Sequence, residues 1–396
     1  MISSNVRIEA IQKALRHFNL PAWLFFGFKS SDLLAMRILD FPKDSHITRR
    51  WFYLIPQHGT PLKLVHRIEK SSLDHLPGLS HFYVAWEELR AGLADILKGY
   101  DQVAMQYSTD CAIPYISRVD AGTAELIRGQ GVQIVSSGDL VQVFESVLSS
   151  TQVNQHRSTA LKITEIVRSA FDRVAKQVSE GHEVDEFSLQ QSIMADFASQ
   201  GLEPESPPIV AVNSSSGDPH YMPTASRKRR IRRGDFLLID LWARPEGPNT
   251  VYADITWTGF LGDNPPEKLL EVFRVVRQAR DRGAEFLGEQ LSNGNPVFGW
   301  QVDDQVRAIV EKAGYGKFFV HRTGHNIARE LHGNGVNFDN LETHDTRQVI
   351  QGLTCTIEPG IYLPEFGVRN EINILVQDIG IEITTPPQKE LLVYDF

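Results

Sequence analysis

The sequence predicts an α+β protein of two domains, in which a layered α/β domain precedes a larger domain of long helices and mostly antiparallel strands. The length of 396 residues exceeds the roughly 250–300 residues that a single hydrophobic core usually holds. Up to about residue 150, short apolar runs alternate with helical patterns. Beyond that point two long helical patterns are followed by a region in which strands dominate.

The first predicted domain, residues 1–150, alternates strands and helices. We predict strands over 22–26, 51–55, 62–65, 81–85, 102–107 and 132–136. We predict helices over 5–18, 86–98, 118–128 and 138–148. No glycine-rich phosphate loop follows any of these strands, so nucleotide binding is not predicted.

The polar stretch 149–156 predicts a domain boundary, and residues 157–396 form the second predicted domain. Its first two helices are predicted over 157–179 and 185–200, because Gly181 and Gly201 follow them as helix stops. Two more helices are predicted over 265–290 and 299–313. Strands are predicted over 208–213, 235–243, 251–260, 354–358, 371–377, 380–385 and 390–395.

Composition and charge exclude several classes of protein. A hydrophobic fraction of 42% and a charged fraction of 22% are those of an ordinary globular protein. The net charge of −9 gives no reason to expect a nucleic acid or an anionic membrane as partner. The two cysteines show no metal-binding or redox spacing, and neither a signal peptide nor an apolar run of ~20 residues is present. We therefore expect a soluble, cytoplasmic protein.

Two aspartates lie inside apolar strand patterns. Asp240 stands in FLLIDLWA, with apolar neighbours on both faces, and Asp254 stands in VYADITWTGF. An aspartate on a half-exposed strand can also face solvent, and Asp254 taken alone leaves that interpretation open. A buried carboxylate without a partner is strongly destabilising, so a shared cation is the economical explanation for both.

Two glutamates and a histidine-rich segment complete the pattern. Glu358 ends an apolar run before Pro359-Gly360, and Glu371 opens the apolar run EINILV. The segment VHRTGHNIARELH, residues 320–332, holds three histidines. Two Asp, two Glu and one His predict a dinuclear site for Mn²⁺, Co²⁺, Zn²⁺ or Fe²⁺, which suits metal-assisted hydrolysis.

Other polar features carry weaker signals. His220 lies in the loop SSGDPHYMPTA, where a ring is free to face a ligand, although a structural histidine is the commoner case. His156 and six other histidines are interpreted as structural. The basic run RKRRIRR, residues 227–233, matches a nucleic-acid patch, but the acidic chain favours a solvated turn.

These positions, in this order, resemble the creatinase, methionine aminopeptidase and prolidase family, whose catalytic domain is called the pita-bread fold. The resemblance implies a pita-bread domain over 157–396 and a smaller creatinase-like α/β domain over 1–150. It implies a metal-ligand set of Asp240, Asp254, His325, Glu358 and Glu371. It places His220, His321 and His332 around the substrate, and we add Arg369 to the predicted substrate-binding residues.

The implied activity is that of an Xaa-Pro dipeptidase with two divalent ions per subunit, Mn²⁺ before Co²⁺ or Zn²⁺. Glu358 is predicted to carry a proton to the leaving nitrogen, His321 and His332 to stabilise the oxyanion, and His220 to contact the proline end. Small peptides are the expected partners, and a homodimer is the expected assembly. The loop before Glu358-Pro359-Gly360 offers only His344 or Arg347 to hold the substrate carboxylate.

Departures from the family pattern leave other activities open. The family's usual motif DITRT reads DITWT at residues 254–258, with Trp257 in place of arginine. Ala328 stands where a glycine is common, and Ile372 stands where an acidic residue is common. The alternatives are an Xaa-Pro aminopeptidase acting on longer peptides, a metal-free creatinase-like hydrolase and a non-catalytic binding protein. The last two usually lack the complete ligand set, which this sequence retains.

Overall fold

A computed structural model describes residues 4–42 and 44–396. The chain divides into two compact units, the first ending at Glu145 and the second beginning at Ser146. Among the described residues, no helix is both long and apolar enough to cross a membrane.

The first unit is a three-layer α/β arrangement around a six-stranded sheet with the order β4-β3-β2-β1-β5-β6. Its strands are β1 (Ala22–Gly27), β2 (Trp51–Pro56), β3 (Leu62–His66), β4 (Leu79–Tyr83), β5 (Gln102–Met105) and β6 (Gln133–Ser136). Its helices are α1 (Ser4–His17), α2 (Leu33–Ile38), α3 (Trp86–Ile96), α4 (Ala121–Arg128) and α5 (Gly138–Glu145). The pairs β1–β2 and β2–β3 are antiparallel. The pairs β3–β4, β1–β5 and β5–β6 are parallel.

The sheet of this unit is buried on both faces, as the continuous apolar runs of β1 and β2 require. Trp23 and Phe25 pack with α1, α2 and α5, whereas Leu24 and Phe26 pack with α3 and α4. All six predicted strands and four predicted helices are present, with shifted ends. The short helix α2 was not predicted, because six residues are too few to show a helical period.

The second unit contains four long helices and thirteen short or medium strands. The helices are α6 (Ser150–Ser179), α7 (Glu186–Ser199), α8 (Glu267–Ser292) and α9 (Gly299–Lys312). The strands before α8 are β7 (Val184–Asp185), β8 (Leu202–Glu203), β9 (Ile209–Val212), β10 (Arg230–Ile231), β11 (Phe236–Pro245) and β12 (Ala253–Phe260). Those after α9 are β13 (Asn326–Ile327), β14 (Thr354–Ile357), β15 (Gly360–Tyr362), β16 (Gly367–Arg369), β17 (Ile372–Val376), β18 (Ile381–Ile383) and β19 (Leu392–Val393).

Two mostly antiparallel sheets form the centre of the second unit. One has the order β19-β12-β11-β8 with β9 also paired to β11, and the other has the order β13-β14-β17-β18. One face of β11 and β12, which includes Leu241 and Ile255, packs on α6 and α7. The opposite face, which includes Leu238, packs with α8 and α9. The predicted α+β class is therefore confirmed. The carboxylates of Asp240, Asp254 and Glu371 are buried in this unit.

The predicted start of α6 at residue 157 is wrong, because the helix begins at Ser150, so the polar stretch 149–156 is its N-cap and first two turns. Ser149 caps the helix: its Oγ accepts from the backbone N–H of Gln152 at 3.3 Å, and the Gln152 amide oxygen accepts from the Ser149 N–H at 3.1 Å. His156 is fully buried and structural, as predicted, with ring nitrogens 2.8 Å from the Tyr252 carbonyl oxygen and 2.8 Å from the Thr384 hydroxyl.

The basic run 227–233 is an exposed turn that includes β10. Lys228 pairs with Asp185 at 2.8 Å, Arg230 pairs with Glu183, and the Arg229 guanidinium donates to the Ser214 hydroxyl. Much of its charge is therefore matched by the protein itself. The interpretation as a solvated turn agrees with this arrangement.

Candidate metal centre

The strand pair β11–β12 brings the two aspartates onto one face of a buried sheet. Asp240 lies opposite Thr256, and Trp242 lies opposite Asp254. Because residues opposite each other in an antiparallel pair, and residues two apart on a strand, point to the same face, all four side chains share that face. Trp257 lies on the other face, in the core against α6, with the Arg168 guanidinium 5.0 Å from its ring centroid.

Glu371 joins this face from the residue before β17. Its Oε2 accepts from the Thr256 hydroxyl at 2.9 Å, and the backbone N–H of Asp254 donates to the Asn373 side-chain oxygen at 2.9 Å. Asp240, Asp254 and Glu371 each present one carboxylate oxygen within 4.8 Å of the others. All three are buried, so this is a closed three-carboxylate cluster.

His325 and Glu358 lie on the other side of Asp254. The His325 Nε2 is 3.3 Å from Glu358 Oε1 and 3.7 Å from Asp254 Oδ2. Thr356 fixes both residues, since its hydroxyl accepts from the His325 backbone N–H at 2.9 Å and donates to Glu358 Oε1 at 3.1 Å. The five predicted ligands are thus brought together by β11, β12, β14 and the residues next to β13 and β17.

The tautomer of His325 follows from its surroundings. Its Nδ1 lies 3.2 Å from the Asn326 carbonyl oxygen, which assigns the ring proton to Nδ1. Burial, followed by the electrostatic effects of His332 and Arg322 on a protonated ring, lowers the pKa of His325 well below its usual value, so the ring is neutral. The Nε2 lone pair therefore points at carboxylate oxygens, an arrangement that is unfavourable unless a cation or a carboxyl proton lies between them.

The carboxylates show the same need for a cation. Asp254 Oδ1 and Glu371 Oε1 are buried and have no hydrogen-bond partner. Burial, followed by the charges of neighbouring carboxylates, raises the pKa of Asp254 and of Glu371 well above the usual values. Unpaired acceptor oxygens, a neutral imidazole and repelling carboxylates are the donor set that hard or borderline divalent cations bind. The residues therefore fit a metal site.

Arg369 supplies a positive charge at this cluster. Its guanidinium pairs with Asp240, donates to the Tyr362 hydroxyl at 2.9 Å and donates to the Thr256 hydroxyl at 3.1 Å. Each of these contacts is to the protein, and Arg369 is only 4% exposed. Its predicted role in substrate binding stays a prediction, while its structural role is to hold the carboxylate cluster together.

A cavity of about 280 Å³ opens onto the cluster, and we call it the metal-site cavity. It is lined by Glu205, Ser206, Ile209, His220, Met222, Asp240, Trp242, Asp254, His325, Leu331, His332, Glu358 and Arg369. The rings of His325 and His332 lie 4.4 Å apart. Burial, with the charges of Arg322 and His220, lowers the pKa of His332 to about 4, so this ring is neutral near pH 7.

The structure brings His220 to the cavity but not His321. His220 is exposed on the cavity side, and its backbone N–H donates to Asp218 at 3.2 Å. His321 does not line the cavity, which differs from its predicted contact with substrate. Its Nδ1 bonds to the Arg322 carbonyl oxygen at 2.7 Å and its Nε2 to the Tyr362 hydroxyl at 2.8 Å, so both ring nitrogens have protein partners.

Neither candidate for holding a substrate carboxylate lines the cavity. Arg347 is buried and bonds through two nitrogens to Asp345 and through a third to the Asn334 carbonyl oxygen. His344 is exposed and bonds to the Asn340 side chain at 2.7 Å. The loop before Glu358 therefore supplies no free cation to the metal-site cavity.

Six residues of the cavity lining were not among the predicted site residues: Glu205, Ser206, Ile209, Met222, Trp242 and Leu331. Trp242 could have been found, because it lies two residues after Asp240 on the same strand and hence on the same face. Glu205 lies in an irregular segment between β8 and β9, where no periodicity indicates the direction of a side chain. Its place at the cavity is a property of the fold alone.

Residues 160–378 match the sequence profile of metallopeptidase family M24, which covers more than half of the chain. The chain belongs to metallopeptidase family M24. The family and pita-bread fold expected from the sequence are confirmed by this match and by the structural neighbours.

Relatives with known names support the same family. The Xaa-Pro dipeptidase of Pyrococcus furiosus is 30% identical over 58% of this chain and 62% of its own length. A putative Xaa-Pro aminopeptidase of Mycoplasma pneumoniae is 30% identical over 55% of this chain and 57% of its own length. The matched region thus spans about three fifths of these relatives.

Solved structures share the fold over almost the whole chain. The dipeptidase PepE of Mycobacterium ulcerans has a TM-score of 0.69 and 21% identity, covering 100% of this chain and 98% of its own. An X-prolyl aminopeptidase of Caenorhabditis elegans, described as a cytosolic enzyme with a di-nuclear active site, has a TM-score of 0.66 and 16% identity. It covers 98% of this chain, and the alignment spans 63% of the longer enzyme.

Proposed function

We propose that this chain is a dinuclear metallopeptidase that hydrolyses the Xaa-Pro bond of dipeptides. The observation that carries the proposal is the five-residue cluster in which a neutral imidazole lone pair and unpaired carboxylate oxygens converge. The names of the relatives, Xaa-Pro dipeptidase among them, support the substrate class.

Two overlapping ligand sets support a site for two ions. Asp240, Asp254 and Glu371 would hold the first, and His325 with Glu358 would hold the second together with the bridging Asp254 and Glu371. Two divalent cations there would polarise the scissile carbonyl and lower the pKa of an attacking water. Oxygen donors with one imidazole suit Mn²⁺, which we assign as the native ion, with Co²⁺ or Zn²⁺ as substitutes.

The chain's own residues supply proton transfer and substrate contacts. Glu358 would carry the proton to the leaving nitrogen, and burial raises the pKa of its carboxyl to about 7 when no metal is bound. The neutral His332, which lines the metal-site cavity, would donate a hydrogen bond to the developing oxyanion. His220 would contact the proline end, and His321 would act through Tyr362.

The wider assignments belong to the same proposal. We assign residues 1–150 to a creatinase-like N-terminal domain and 157–396 to the catalytic domain. A cytoplasmic location and a homodimer rest on the sequence and on the family resemblance. Light scattering of the purified protein would test the dimer.

Activity on longer peptides is a second candidate function. Among the described residues that line the metal-site cavity, Arg369 is the only lysine or arginine, and its guanidinium is engaged with Asp240, Tyr362 and Thr256. A dipeptide carboxylate would therefore meet no free lysine or arginine side chain there. This observation favours substrates in which the chain continues after proline.

Peptide hydrolysis after metal reconstitution tests the proposal. The purified protein is stripped of metal, reconstituted with Mn²⁺, Co²⁺ or Zn²⁺, and assayed on Ala-Pro, Leu-Pro, Leu-Pro-Gly and Leu-Gly. We expect metal-dependent hydrolysis of the proline peptides only. Faster cleavage of Leu-Pro-Gly than of Leu-Pro would select the aminopeptidase activity, and cleavage of Leu-Gly alone would refute the proline specificity.

A further inference from the structure

The metal-site cavity has an apolar wall that begins beside a proposed metal ligand. Ile209 on β9 lies directly opposite Asp240 on β11, so both side chains point to the same face. Trp242 lies two residues further along β11, and Leu331 and Met222 extend the wall. Ile209, Trp242 and Leu331 are each at most 8% exposed. A substrate side chain in this part of the cavity would lie against hydrocarbon and an aromatic ring.

An acidic residue lies at the outer end of this wall. Glu205 lines the cavity and is exposed, whereas Ile209 is buried. The two are four positions apart in the sequence, so their Cα atoms lie at most about 14 Å apart. Within the described part of the chain, Glu205 forms no ion pair, although Glu203 is paired with Arg244 at 3.0 Å. The Glu205 carboxylate is thus free to meet a ligand.

From these features we infer that this wall and Glu205 form the subsite for the side chain of the N-terminal residue, and that it prefers lysine or arginine there. The long methylene stem of such a side chain would cover the apolar wall, and its cationic end would reach the carboxylate at the mouth. The ring of Trp242 adds a face that attracts a cation or its adjacent methylenes. This inference rests on the proposed Xaa-Pro peptidase function.

The competing assignment is that Glu205 binds the α-ammonium group, which every Xaa-Pro substrate carries. If Glu205 had that role, its substitution would change kcat/KM equally for all N-terminal residues. A side-chain subsite would change only the ratio between charged and uncharged ones. Lysyl-proline and norleucyl-proline form the decisive pair, because their side chains share the same four-carbon stem and only lysine carries the charge.

The experiment measures kcat/KM for both dipeptides with the Mn²⁺-loaded wild type, Glu205→Gln, Glu205→Lys and the control Glu203→Gln. Glu203→Gln removes a carboxylate two residues away that does not line the metal-site cavity. In the wild type we expect lysyl-proline to be preferred by about fivefold or more, the upper range for an exposed ion pair. Glu205→Gln should abolish the preference, Glu205→Lys should reverse it, and Glu203→Gln should retain it.

Ionic strength provides an independent readout. Raising the salt concentration from 0.05 M to 0.5 M should reduce the lysine preference of the wild type and leave the ratio of Glu205→Gln unchanged. An equal rate loss for both dipeptides in Glu205→Gln, or no lysine preference in the wild type, would overturn the inference while leaving the peptidase function intact. If the wild type hydrolyses neither dipeptide nor any longer Xaa-Pro peptide, the proposed function fails and the subsite falls with it.

Discussion

Asp254 is the residue on which both proposed ion sites depend, because it faces the Asp240–Glu371 side and the His325–Glu358 side alike. Asp254→Asn keeps the side-chain size but removes one charge and one anionic ligand. We expect less than one metal ion per chain by elemental analysis and at least a 100-fold loss of kcat/KM, beyond the usual effect of losing an outer-shell contact. Asp263→Asn, at an exposed position, is the control.

In the absence of metal, Asp254→Asn should be at least as stable as the wild type, although it is the less active protein. With chelator present, Asp254→Asn lacks one of the mutually repelling buried carboxylates, so its free energy of unfolding should equal or exceed that of the wild type. With Mn²⁺ present, the wild type should be the more stable protein. An Asp254→Asn protein that retains both ions and full activity would contradict the proposed ligand set.

His156 makes stability depend on pH. Burial lowers the pKa of His156 to about 4, below the usual 6.5, despite the charge of Glu382 nearby. Between these two values the unfolded chain binds a proton that the folded chain does not, so stability falls as pH drops from about 6.5 to 4. Over this pH range the free energy of unfolding should fall by up to about 3 kcal/mol.

Substitution of His156 tests this pH dependence. His156→Gln should flatten the dependence of the free energy of unfolding on pH between 7 and 4.5, measured with a chemical denaturant. It should also lower stability at pH 7.5 through loss of a well-matched buried ring. His182→Gln, which removes an exposed imidazole, is the control. An unchanged slope in His156→Gln would refute the assignment.

Single residues differed in how far the sequence could predict them. Asp240 and Asp254 could be proposed from the sequence pattern, because a charged group in an apolar strand indicates a buried partner. His325 was singled out among three histidines only by the family resemblance. The partners of His321 could not be predicted, since only the fold shows that the Tyr362 hydroxyl and the Arg322 carbonyl oxygen bond to its two ring nitrogens. Glu205 carried no signal, because an irregular segment has no period that fixes the direction of its side chains.

At the scale of elements, the segment bearing His325 is fixed against β14 by a close approach of two backbones. The His325 N–H and carbonyl both bond to Thr356, and a Cβ at Gly324 would overlap the Thr356 carbonyl oxygen. Gly324→Ala should therefore push this segment away from β14. We expect a loss of about 1–3 kcal/mol in the free energy of unfolding, together with weaker metal binding.

Gly288→Ala is the matched control for that substitution. Gly288 lies within α8, and an added Cβ would meet Ile381 at 3.5 Å, an ordinary contact. Because alanine favours the helix, stability should rise by up to about 1 kcal/mol without a change in metal content. Equal stability and equal metal content for Gly324→Ala and the wild type would show that the close approach is not needed.

Helix and strand periods were the most predictable elements. The helices α8 and α9 were predicted to within two residues at either end, because their apolar positions recur at helical spacing. The start of α6 was misplaced, although Ser149 and Gln152 form the S-x-x-Q pattern of a capping box. The polar composition of the first turns outweighed that local signal.

At the scale of the whole molecule, the sequence predicted the class of each unit but not the pairing of its strands. In the second unit β12 pairs in parallel with β19, more than 130 residues later, and β13 pairs with β14 across a loop of 26 residues. Contacts this distant depend on tertiary packing, to which local periodicity is blind. The proposed ligands could be listed in order from the family resemblance, whereas the strand pairs that bring them together required the structure.

The last prediction concerns how metal affects the two units. All five proposed ligands belong to the unit that begins at Ser146, so cation binding stabilises that unit directly. At an ion concentration 100 times the dissociation constant, the gain is about 2.7 kcal/mol. Hydrogen exchange with Mn²⁺ and with chelator should therefore show higher protection of β11, β12, β14 and β17 in the metal-loaded protein. Protection of β1, β2 and β5 should change little, and Asp254→Asn should show a much smaller difference between the two conditions. A metal-dependent change confined to the first unit would place the ions outside the proposed centre, because a ligand protects the structure to which it binds.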